Sequence, residues 1–161
     1  MLIIEKYKDM GNYLIVKILS GELTNNNKDK LNILKIYDKN YNEINKGLNN
    51  DILVVKVKED IGEVGEIISD NEIILSNTKK TLIKIINNID NIPIITKGYK
   101  MFIEYNFKTI ESEIMDIQNK KYLKIGDICN VLIKMNKEIY TDNNNFIIRN
   151  EGKIIGIGKF I

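Results

Sequence analysis

The feature that most constrains this chain is the spacing of its apolar runs. Short stretches rich in Ile, Val and Tyr recur about every 8–12 residues, each cut off by turn-forming residues. "NYLIVKIL" (Asn12 to Leu19) ends at Ser20-Gly21, and "KLNILKIY" (Lys30 to Tyr37) ends at "DKNYN". "DILVVKVKE" (Asp51 to Glu59) alternates apolar and polar in its second half and stops at "DIG"; the short "GEIIS" follows. "TLIKIINNI" (Thr81 to Ile89) runs up to the only proline, Pro93. "YKMFIEYNF", "TIESEIMDI", "ICNVLIKMN", "NFIIRN" and "KIIGIGKFI" complete the series. Roughly ten strands at this spacing predict an all-β fold, a sandwich or barrel. "TIESEIMDI" has a helix-compatible composition. Its alternation of Ile110, Ser112, Ile114 and Asp116 against Glu111 and Glu113 equally fits a half-exposed strand.

Strand patterning lapses over "NEIILSNTKK" (Asn71 to Lys80), which predicts two small domains, 1–72 and 73–161. With 161 residues and 43% hydrophobic residues, the chain can support a core in each. The formal net charge is +2. Residues before Thr81 sum to about −1 and the rest to about +3. That near balance argues against a general nucleic-acid clamp. The abundance of Asn, Ile and Lys, with AT-rich codons, reads as genome bias. No apolar run approaches the ~20 residues needed to cross a membrane as a helix. The first residues lack the pattern of a secretory signal, so a cytoplasmic location is expected.

Composition also restricts the chemistry. There is no histidine, which removes imidazole acid–base schemes and histidine metal sites. The single cysteine, Cys129, cannot form an internal disulfide or build a zinc site, and its apolar setting suits a buried position. No G-x-x-x-x-G-K-[ST] loop is present. Glu59-Asp60 and Glu111 with Glu113 sit among polar residues and read as solvated faces rather than acid–base pairs. The expectation is no enzyme, no cofactor and no metal.

Two stretches stand out: "KYKDMG" (Lys6 to Gly11), read as a polar edge turning into the first strand, and "FIIRNEGKIIGIGKF" (Phe146 to Phe160). The second reads as a hairpin turning at Asn150-Glu151-Gly152-Lys153, with Gly152 at positive φ. Phe146 and Ile148 fall on one face of its first strand, Ile147 and Arg149 on the other. Gly156 and Gly158 share a face of the return strand, where a bulky side chain or another backbone would come close, or a barrel would bend. Arg149 is the only arginine among 24 basic residues. A guanidinium offers a flat, five-donor fork that lysine lacks, so this position calls for directed hydrogen bonding. It either ties the hairpin to its own barrel or to the other domain, or belongs with Phe146 to a partner interface.

"EKYKDMG" followed by Ser20-Gly21, and "FIIRNEGKIIGIGK", resemble the start of the second domain and the closing hairpin of the third domain of the eukaryotic class II release factor. That factor is the termination GTPase related to elongation factor 1 alpha and elongation factor Tu. "IPIITKGYKMFIEYN" and "YLKIGDICNVLIK" are similar to third-domain segments shared across translation factors. The resemblance implies two small β-barrels side by side, a translation-factor domain 2 over 1–72 and a domain 3 over 73–161, without the GTPase domain. It implies docking on the C-terminal domain of the class I release factor, at Phe146, Ile148, Arg149, Glu151 and Lys153. The small ribosomal subunit would lie against the second domain, and this chain would bind no nucleotide directly. The equivalent barrels of the ribosome-rescue GTPase that partners Pelota are the nearest alternative. An oligonucleotide-binding barrel that stacks bases on some of the eight tyrosines is a rival of another class. An aminoacyl-tRNA carrier like elongation factor 1 alpha is a weaker one.

Overall fold

The computed structural model describes residues 1–8, 11–24, 31–69, 73–86, 94–141 and 144–161. The described residues are all β, and they divide into two compact units, Met1–Ile73 and Ile74–Ile161. Pro93 and the first two residues of the stretch read as the boundary, 71 and 72, lie outside the described set. The strand that opens the second unit starts at Ser76, inside the stretch read as unpatterned. Its polar beginning, "SNTKK", carries no apolar alternation that could reveal it.

The first unit contains β1 (Leu2–Tyr7), β2 (Asn12–Lys17), β3 (Glu22–Thr24), β4 (Ile33–Tyr37), β5 (Glu43–Ile44), β6 (Lys46–Leu48) and β7 (Ile52–Val57). Five of them form one antiparallel sheet in the order β1-β2-β7-β4-β5; β3 and β6 pair separately. Alternation sets the buried face. Leu53, Val55 and Val57 of β7 and Leu14 and Val16 of β2 point into one core with Ile3, Ile33 and Ile36. The polar edge expected at the N-terminus is therefore partly a strand: β1 buries Leu2 and Ile3 and pairs with β2. Its free edge is met by a loop, not by a closing strand. Ile3 donates to the Glu66 carbonyl at 2.9 Å, and Gly65 donates to the Ile3 carbonyl at 2.8 Å. "GEIIS" thus covers an edge that would otherwise expose unpaired backbone groups.

The second unit contains β8 (Ser76–Ile85), β9 (Ile95–Thr96), β10 (Lys100–Tyr105), β11 (Lys108–Ile117), β12 (Tyr122–Leu123), β13 (Ile128–Ile139), β14 (Asn145–Asn150) and β15 (Lys153–Phe160). Six of these close into a barrel in the order β10-β11-β13-β8-β15-β14, with β9 and β12 forming a small ribbon. Closure removes every free edge from the six-stranded sheet. The interior is filled by Ile83, Ile103, Ile114, Ile133, Ile148 and their neighbours, with Cys129 among them. "TIESEIMDI" is strand β11. Ile110, Ser112 and Ile114 point inward, but a bulge between Ile114 and Asp116 flips the alternation, so Asp116 is exposed and Ile117 buried.

Three aspartates anchor surface turns and titrate accordingly. Asp38 accepts from the Asn42 backbone at 2.9 Å, Asp60 pairs with Lys6 and Lys8, and Asp127 accepts from Lys120 at 2.7 Å and the Lys124 backbone at 2.8 Å. In each case these donors, led by Asn42, Lys6 and Lys120 respectively, hold the carboxyl below the usual aspartate range. A carboxyl depressed in the folded state contributes stability that is present above its unfolded pKa and lost as pH falls through the folded one. With no histidine to charge between pH 5 and 8, the thermal midpoint is expected to be level there and to fall only below about pH 4. A differential scanning fluorimetry series across pH 2–9 checks this; a transition centred near pH 6 would contradict it.

Candidate functional site

The β14–β15 hairpin turns at Glu151 and Gly152, between the paired residues Asn150 and Lys153. Both turn residues have positive φ, 48° and 76°, the mirror-image two-residue turn that matches strand twist. Sequence reasoning assigned positive φ to Gly152 alone; Glu151 adopts it as well. The two strands also depart from plain pairing. Ile148 faces Gly156 while Arg149 faces Ile154, so Ile155 is an inserted residue. That bulge lets two successive residues, Ile155 and Gly156, both be buried.

The five residues named from the resemblance separate into two sets. Phe146 and Ile148 are buried, 3% and 0% exposed, inside the barrel. The Phe146 ring lies 4.6 Å from the Phe160 ring, which in turn meets Tyr105 edge-on at 5.0 Å. These two side chains form the core under the hairpin. Both lie inside the barrel rather than on its outer surface. Arg149, Glu151 and Lys153 remain on the surface.

The paired glycines are explained by Phe146. A β-carbon on Gly158 would collide with its ring, and one on Gly156 would sit 2.7 Å from the Lys84 carbonyl oxygen on β8. One glycine admits a bulky side chain and the other a neighbouring backbone, the two uses anticipated from the sequence.

Arg149 faces outward from β14. Its Nε lies 2.6 Å from a carboxylate oxygen of Glu104, and one terminal nitrogen donates to the Gly152 carbonyl at 3.0 Å. The Nε–carboxylate contact is an ion pair without good hydrogen-bond alignment, since that nitrogen lacks a properly directed acceptor. The arginine thus joins its own turn to β10, where Phe102 stands opposite it and Glu104 stands opposite Ile147. Asn150 adds a second tie by donating its side-chain amide to the Tyr99 hydroxyl at 2.5 Å. Burial holds that phenol above its ordinary pKa, so it stays neutral. Of the two sequence readings of Arg149, the contacts present are those of a tie within its own barrel. Its partner Glu104 had no local signal, because it lies 45 residues away on a strand brought alongside only by barrel closure.

No family model matches this chain, and no curated protein matches it. Solved structures do. The structure of Sup35 complexed with GDP superposes with a TM-score of 0.78 at 17% identity, covering 100% of this chain and 46% of that one. Sup35 complexed with GMPPNP gives a TM-score of 0.74, again at 17% identity with the same coverage. The chain spans less than half the length of those proteins. What it shares with Sup35, along its whole length, is an all-β fold, with a closed six-stranded barrel in its C-terminal unit.

Proposed function

We propose that this chain is the non-catalytic binding portion of a translation termination factor, which holds a class I release factor by its C-terminal domain and contacts the small ribosomal subunit. The observation that carries the reading is the match of the whole chain, end to end, to the β-domains of Sup35. The resemblance of the hairpin "FIIRNEGKIIGIGK" to that family's closing hairpin supports it. On this reading the chain supplies surface. GTP hydrolysis belongs to a GTPase domain outside these residues, peptide release belongs to the partner, and the assembly works in the cytoplasm.

The test is a parallel titration of the purified chain with the C-terminal domain of a class I release factor and with Pelota, by biolayer interferometry. Saturable binding to the class I domain, at about 1 µM or tighter, with weaker binding to Pelota, is the expected result. A preference for Pelota would assign the chain to ribosome rescue instead. Failure to bind either protein would remove the reading.

A further inference from the structure

The hairpin is one edge of a larger surface. Closure of the second barrel sets β13, β8, β15 and β14 side by side. Their outward residues can be read across the sheet from the register. Ile128 of β13 stands beside Lys84 of β8, Lys84 beside Ile157 of β15, and Ile157 beside Ile147 of β14. One rung further along, Leu82 stands beside Lys159. Apolar and cationic side chains therefore share one continuous face, with Ile157 and Ile147 adjacent. Ile128, Ile157 and Leu82 are 56%, 45% and 40% exposed and lie on neighbouring strands, forming a patch rather than scattered apolar residues. They line a shallow groove of about 530 Å³ together with Ile147.

The charge on this face has one sign. β8, β14 and β15 contain no Asp or Glu, and in β13 the first is Glu138, near the far end of the strand. No carboxylate among the described residues pairs with Lys84 or Lys159. The carboxylate that does border the groove is Glu104, next to Ile147, and Arg149 neutralises it. The single arginine thus has a consequence beyond holding the turn: it leaves the groove cationic. At the adjoining β10–β11 turn, Phe107 is 68% exposed at φ 62°, a conformation that costs a bulky residue energy and that asparagine or glycine would adopt more easily.

We infer that this face is the surface on which the second unit receives its protein partner, and that the partner segment is an amphipathic one, with apolar residues flanked by Asp or Glu. The exposed isoleucines would bury the apolar side of such a segment, and Lys84 and Lys159 would meet its carboxylates. Apolar rungs of this kind favour a peptide over a nucleic acid: the exposed rings nearby, Phe102 on β10 and Phe107 on the β10–β11 turn, lie beside the four-strand face rather than on it. The inference rests on the termination-factor reading for the identity of the partner but places the contact on the sheet face, away from the turn tip of Glu151 and Lys153.

The experiment repeats the titration with three variants of the full chain: Lys84→Glu/Lys159→Glu, Ile157→Asp, and Glu151→Ala/Lys153→Ala. All five positions are on the surface, and an unchanged thermal midpoint confirms that each variant folds. The double charge reversal is expected to weaken binding about tenfold or more and to flatten its salt dependence. Ile157→Asp, at the centre of the groove, is expected to weaken it by about thirtyfold or more. The turn-tip variant should change it less than threefold. If wild type binds and the lysine reversal leaves affinity intact, the face is not the docking surface, although the termination-factor reading stands. If Ile157→Asp does not fold, the lysine variant alone decides. Wild type failing to bind the class I domain sinks both. Binding of a fluorescein-labelled 12-nucleotide oligouridylate, lost in the same lysine variant, would overturn the choice of a peptide segment.

Discussion

Replacing Phe146 by alanine is expected to remove about 3–5 kcal/mol from the stability of the second unit, the usual cost of emptying a buried phenylalanine site. The ring is 3% exposed and packs against Phe160, so its removal deprives Phe160 of one of its two aromatic neighbours, the other being Tyr105. Neighbouring strands are tied by ladder hydrogen bonds on both sides and cannot collapse far into the space. Domains of this size have total stabilities of about 5–15 kcal/mol, so the loss is a large share of the whole. Thermal unfolding should shift down by at least about 12 °C. The measurement separates two roles for this residue. If Phe146 were an anchor for a partner rather than core, the alanine variant would keep its midpoint and lose only affinity.

Gly158→Ala is the converse experiment on the same contact. A methyl group there falls on the ring of Phe146, and the ring cannot retreat because Phe160 lies on another side of it. Overpacking of this kind costs about 1–3 kcal/mol. The opposing term is the conformational restriction gained on replacing a strand glycine, about 0.5–1 kcal/mol in alanine's favour. The collision is the larger effect, so net destabilisation of about 1–2 kcal/mol is expected from these two ranges. Combining Gly158→Ala with Phe146→Leu should relieve the collision. The pair should be less destabilised than the sum of the single changes by about 1 kcal/mol or more. Strict additivity in a double-mutant cycle, followed by urea unfolding, would mean that the two residues do not press on each other.

Much of this architecture was legible along the chain, and particular residues show where legibility ends. The strand character of β7, β10, β13 and β14 follows from alternation, because one buried face demands a period of two. The division of Phe146 and Ile148 from Ile147 and Arg149 follows from the same period, and so does the crowding at Gly156 and Gly158. β1 was missed as a strand because only Leu2 and Ile3 of it are deeply buried, and its remaining residues are polar or half-exposed. Bulges at Ile114–Asp116 and Ile148–Arg149 left no mark that could be read. An inserted residue changes which face a side chain occupies without changing the composition around it. The candidate site was the least legible part. Five residues were chosen from one hairpin, two of which fill the core, whereas the exposed face proposed for docking draws on four strands.

The amino-acid sequence by itself determined a strand-built, histidine-free chain with one arginine placed where a directed fork was needed. Those properties are local: alternation, turn chemistry and residue identity act over a few positions. Only the tertiary structure decided that Arg149 meets Glu104, that Gly158 makes room for Phe146, and that Lys84 and Lys159 share one face with Ile128, Ile147 and Ile157. These are registers between strands distant in the sequence. They are set by closing a barrel around one core, where a shift of a single residue would turn every buried side chain outward.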